Sequence, residues 1–91
     1  MQDENILVRL LTPKEHDCFC FQAAAVEMKH IARYMGSSPR TIEIHRRNYR
    51  LKLGIKTPAD FQNFLESHGL RIYCVNIVDN YKKFSMEHLR A

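Results

Sequence analysis

Between Ser38 and Lys56 the chain carries Arg40, Arg46, Arg47, Arg50, Lys52 and Lys56 against a single acid, Glu43. Guanidinium forks bridge phosphate oxygens or the O6 and N7 edge of guanine, so these residue types suit a polyanion reader better than a catalyst. Their spacing narrows the reading. Arg40, Glu43, Arg47 and Arg50 recur at three- and four-residue steps, with Ile44, Arg46 and Asn48 beside them. Ile42, His45, Tyr49 and Leu53 recur at the same steps on the other side. One helix then has a packed back and a cationic front that contains a carboxylate and an aliphatic group. Glu43 can accept from cytosine N4, and Ile44 can meet a thymine methyl. The N-terminal part of such a helix reaches the base edges. Glu43, Ile44 and Arg47 are therefore the base-reading candidates. Arg40, Thr41, Arg46 and Arg50 are the phosphate-contacting candidates that set register. Lys29, upstream, can grip the backbone as well. Charge alone does not separate this from a solvated surface; the elements around it do.

Those elements announce themselves by their caps. Thr12-Pro13-Lys14-Glu15 combines a capping threonine, a first-turn proline and a third-position acid, which predicts a helix from Pro13 to about Ala24. Met28, Ile31, Ala32 and Met35 predict a short second helix, stopped by Gly36 but poorly capped by Glu27. Ser37-Ser38-Pro39 supplies the turn and cap for the third helix, Pro39 to about Leu53, ended by Gly54. Thr57-Pro58-Ala59-Asp60 opens a fourth, with Phe61, Phe64 and Leu65 as its buried stripe and Gly69 at its end. From Leu70 to Asp79 the composition favours strand, while Leu70, Cys74, Ile77, Val78 and Tyr81 also suit a helix. The second and third helices with their tight turn form a helix-turn-helix. The expected fold is all-α: a four-helix bundle with a helix-turn-helix, plus a C-terminal extension of open structure.

The totals agree. Ninety-one residues make one domain, and 45% hydrophobic with 26% charged residues is ordinary for a globular protein. The net charge of +4 tolerates a polyanionic partner. No apolar run approaches the roughly 18–20 residues of a membrane span. The acidic start, Met1 to Asn5, is wrong for a secretory signal, and Cys18, Cys20 and Cys74 are too few for a disulfide framework. A reducing cytoplasm is the expected location.

Leu11-Thr12-x-Lys14-Glu15, Ala23, Lys29, Ile31-Ala32, Ser38-x-x-Thr41-Ile42-x-x-His45 and Lys52-Leu53-Gly54-Ile55 together resemble the LuxR-type (GerE-like) output domain. The resemblance runs in order, without gaps, from about Leu10 to His68. It implies a four-helix domain whose third helix enters the major groove, with base contacts at Glu43, Ile44 and Arg47. It also implies phosphate contacts near Lys29, Thr41 and Lys52. In the family the fourth helix commonly pairs two domains on a two-fold site, which points to Pro58, Gln62, Leu65 and Glu66 on the helix from Pro58 to Ser67. The domain boundaries follow: 1–10 a lead-in, 11–69 the helix-turn-helix domain, 70–91 an extension of unknown role. Ala25 stands where the family usually has glycine, so the first connection is expected to be reshaped or more helical. Glu27 stands where it usually has a serine or threonine cap. The family's usual sensing or phosphoacceptor domain is not among these residues, which leaves an excised fragment or a domain standing alone.

Other chemistry falls away on spacing. Cys18 and Cys20 diverge by roughly 200° on a helix, which predicts a buried Cys18 and a partly exposed Cys20 rather than a metal pair. His16, His30, His45, His68 and His88 have no ligand spacing, and no catalytic motif is present, so no metal, no cofactor and no enzyme are expected. Glu15 is expected to pair with a basic residue such as Lys52. The expected function is sequence-specific binding of double-stranded DNA by a homodimeric transcription regulator, with RNA polymerase as a further partner. Two alternatives stand beside it. One is a helix-turn-helix protein-interaction module that does not bind DNA and docks through the tail. The other is a polymerase-binding sigma-factor region, disfavoured by His45 and the Lys52–Ile55 ending.

Overall fold

The computed structural model describes residues 5–90, with side chains as far as Phe84. Residues 1–4 of the expected lead-in, Ala91 and the side chain of His88 lie outside the described residues. The described chain is all-helical: α1 (Ile6–Leu10), α2 (Pro13–Ala23), α3 (Met28–Met35), α4 (Pro39–Leu53), α5 (Pro58–Ser67) and α6 (Arg71–Arg90). The four expected helices are present, and α1 and α6 add to them.

Each start is made by a short polar side chain. Thr12 Oγ1 accepts from the Glu15 N–H (3.2 Å), and Glu15 Oε1 accepts from the Thr12 N–H (3.1 Å), a reciprocal box. Thr57 and Asp60 repeat it at α5. Ser38 caps α4 by accepting from the Thr41 N–H at 3.2 Å. Glu27, as expected, makes no side-chain cap at α3.

Helix α2 is the centre of the molecule. Four consecutive residues, Cys18, Phe19, Cys20 and Phe21, are fully buried, which no one-sided surface helix allows. Phe19 faces one way, meeting Tyr49 edge-on (5.4 Å, 73°), Phe61 and Phe64. Phe21 faces the other, stacked on Tyr34 and tilted against Tyr81. Helix α6 lies along that second side and sinks Cys74 and Val78 into the core, with Leu70 buried just before its first turn. Cys20 is therefore not partly exposed, as its helical position predicted, but fully buried beneath α6. There the hydrogen bond with Cys74 and burial together push its thiol up.

Polar contacts fasten the same seam. His16 Nδ1 lies 2.7 Å from Asp17 Oδ1, and its Nε2 lies 2.5 Å from the Tyr73 hydroxyl. The Tyr81 hydroxyl donates to Asp17. Burial raises the Asp17 carboxyl, but the hydrogen bonds from His16 and Tyr81 outweigh it and leave it below the ordinary value.

At the α2–α3 connection α2 stops at Ala23, the Val26 N–H bonds Phe21 O (3.1 Å) and the Ala25 N–H bonds Gln22 O (3.0 Å). That paired closure needs a left-handed residue, and Ala25 takes it at φ 60° without being glycine.

Candidate nucleic-acid interface

Helix α3 and helix α4 are joined by Gly36, left-handed at φ 63°, and the Ser37-Ser38 pair, so α4 leaves the turn at a fixed angle across α3. Its back is anchored by Ile42 and Tyr49, both buried, with His45 and Leu53 half-buried beside them. Burial raises the Tyr49 phenol to about 12, against the opposing pull of Arg46. Thr41, Arg46 and Asn48 are half-buried along the flanks of α4, and its remaining residues are exposed.

On that outward side Arg40, Glu43, Arg47 and Arg50 are exposed, and Ile44 is 41% exposed among them. The three base-reading candidates thus share one open face with two of the phosphate candidates. Among the described residues none of these four arginine and glutamate side chains is held in an ion pair with the protein itself. The face can accept, donate and make apolar contact with an external partner.

The other candidates are placed differently. Thr41 is half-buried, and its hydroxyl lies 3.1 Å from Ser38 Oγ, so it serves the cap. Arg46 is half-buried on the flank of α4 that faces α5. Lys52 Nζ lies 2.7 Å from the buried carboxylate of Glu15, the expected pair, while its side chain remains 41% exposed. Burial raises the Glu15 carboxyl, but the bonds from Lys52 and the Thr12 backbone overcome that and hold it below its ordinary value. Lys29 is exposed in the first turn of α3. On α5, Pro58, Gln62 and Glu66 are exposed, but Leu65 is 0% exposed and belongs to the core. It cannot meet a second copy at that surface, because it fills the same inward stripe as Phe61.

Leu51 was missed. It is 75% exposed and continues the outward line of Ile44 and Arg47 at helical steps, a spacing already visible in the sequence. Asp17, Tyr73 and Tyr81 were also missed, because their meeting depends on α6 folding back. Among the described residues no group of three or more histidine, cysteine or acidic side chains is placed to hold a metal.

A two-sided helix held outward by a short partner helix is the geometry of a helix-turn-helix, and the family of bacterial regulatory proteins called luxR (GerE) matches residues 9–61. The chain belongs to the luxR family. A curated relative, described as transcriptional regulatory protein MctR of Rhizobium johnstonii, is 38% identical over 60 residues. The match covers 66% of this chain and 28% of the relative, so the chain spans well under half the relative's length. No solved structure matches significantly. The family is one of bacterial regulatory proteins, a regulatory rather than an enzymatic class. Among the described residues no helix is long and apolar enough to cross a membrane.

Proposed function

We propose that this luxR-family chain reads a specific sequence in double-stranded DNA with the outward side of α4 lying in the major groove. The observation that carries the proposal is the two-sidedness of α4: Ile42 and Tyr49 sealed behind, Arg40, Glu43, Ile44, Arg47 and Arg50 open in front. Glu43 and Ile44 lie in the first two turns, where a recognition helix meets base edges, and Arg47 follows one turn further on the same face. Arg40, Arg46, Arg50, Lys29 and the free part of Lys52 flank them and suit backbone phosphates. Thr41 contributes through the cap that orients the first turn.

Residues 11–69 form the reading unit, and α6 acts as a buttress that packs along the far side of α2 through Cys74 and Val78. Two copies pair on a two-fold site through the exposed side of α5, with Pro58, Gln62 and Glu66 at the seam. The site of action is the cytoplasm, and contact with RNA polymerase belongs to the regulator's output. No step is catalytic.

Selection from random duplexes tests the proposal. The wild type enriches a defined motif, and Arg47→Ala loses preference at one position, at a penalty of about 1–3 kcal/mol there. An unchanged preference at every base removes Arg47 from the reading set; no enrichment by the wild type removes sequence reading altogether. The protein-interaction module draws its support from Ile72, 77% exposed on α6, with Val75 beside it. On the inward side of that helix Cys74 and Val78, with Leu70 just before its start, are spent on the chain's own core.

A further inference from the structure

Helix α6 turns Cys74 and Val78 inward, and a second stripe of the same helix stays open. Ile72, Val75, Asp79 and Lys82 follow one another along it at steps of three and four residues. All four are exposed, and neither Asp79 nor Lys82 forms an ion pair among the described residues. Single exposed apolar residues are ordinary. The order of these residues is not. The sequence continues the same steps to Met86 and Leu89, and α6 runs to Arg90. The stripe is thus apolar at both ends and oppositely charged in the middle, at the spacing of a coiled-coil seam.

Laid antiparallel on an identical helix, with the two-fold axis between Asp79 and Lys82, the six positions pair without conflict. Ile72 falls opposite the partner's Leu89, Val75 opposite the partner's Met86, and Asp79 opposite the partner's Lys82. Each pairing occurs twice, as a two-fold contact between identical surfaces requires. A parallel arrangement sets Asp79 against Asp79 and Lys82 against Lys82, so like charges reject it. Sliding the antiparallel helices by one heptad either way sets each charge against an apolar residue. One orientation and one register remain.

We infer that α6 is a contact by which two copies of this chain associate, antiparallel along the stripe from Ile72 to Leu89. None of its residues serves the seam on α5, and the contact does not depend on DNA.

Sedimentation equilibrium of the full chain without DNA tests it. The wild type is expected to show a reversible, concentration-dependent monomer–dimer equilibrium. Asp79→Lys alone, or Lys82→Asp alone, sets like charges across the seam twice and weakens association about tenfold. Mixing the two single variants restores it, because one chain then supplies two cations and the other two acids. The variant carrying both exchanges restores it as well. Both positions are exposed, and a chain that merely failed to fold gives no such rescue. In a parallel pair Asp79→Lys trades one repulsion for another and changes little. A monomer at every concentration, a dimer indifferent to Asp79→Lys, or a mixture that stays monomeric overturns the contact.

Discussion

Lys52 Nζ stands 2.7 Å from Glu15 Oε1 and so joins the last turn of α4 to the first turn of α2. The same carboxylate oxygen accepts from the Thr12 N–H. One buried acid therefore caps one helix and ties down the end of another, the one proposed to read DNA. Lys52→Met leaves that carboxylate buried without its cation. The expected cost is about 2 kcal/mol, less than for a fully enclosed pair because Lys52 is partly exposed. Urea unfolding of both proteins checks it through the shift in midpoint at constant slope.

The pair also sets an acid limit. Glu15 is held below its ordinary value of 4.5, so its contribution is complete above that value and is lost as pH falls through the lower, folded value. Asp17 behaves in the same direction from its ordinary 3.8. Stability is expected to fall with acid below about pH 4.5, and Glu15→Gln flattens that fall. A stability-against-pH series on both proteins reads the difference.

Ala25 at φ 60° carries backbone strain that glycine does not feel. Ala25→Gly relieves it against the entropy that glycine adds to the unfolded chain, a net gain of about 0.5–1 kcal/mol. Thermal melts are expected to rise by about 3–6 °C for a chain this size. A lower melting temperature contradicts the strain.

Tyr81→Phe removes the hydroxyl that α6 donates to Asp17. The loss is about 1–2 kcal/mol, a hydrogen bond to a charged group. Amide exchange localises it: protection is expected to fall in α6 before it falls in α4.

Much of this was legible from residues that act locally. Thr12-Pro13, Ser38-Pro39 and Thr57-Pro58 mark helix starts with their own side chains, and all three helices begin at the marked prolines. The two faces of α4 follow from its own spacing, and Glu15 with Lys52 was anticipated as a pair. What was not legible depends on distant chain. Ile72, Tyr73, Val75 and Ile77 read as strand by composition, yet Leu70, Cys74 and Val78 win the segment for a helix by packing on α2. Cys20 faces away from Cys18 and is buried only because α6 arrives. Leu65 was expected at a pairing surface but lies on the inward side of α5.

The direct test of the central claim is fluorescence anisotropy of the protein with duplex DNA across several salt concentrations. The account predicts tight binding near 50 mM salt, a steep negative slope of log K against log salt, and a slope shallower by about one unit for Arg50→Ala. A flat slope, or no binding at the lowest salt, contradicts it.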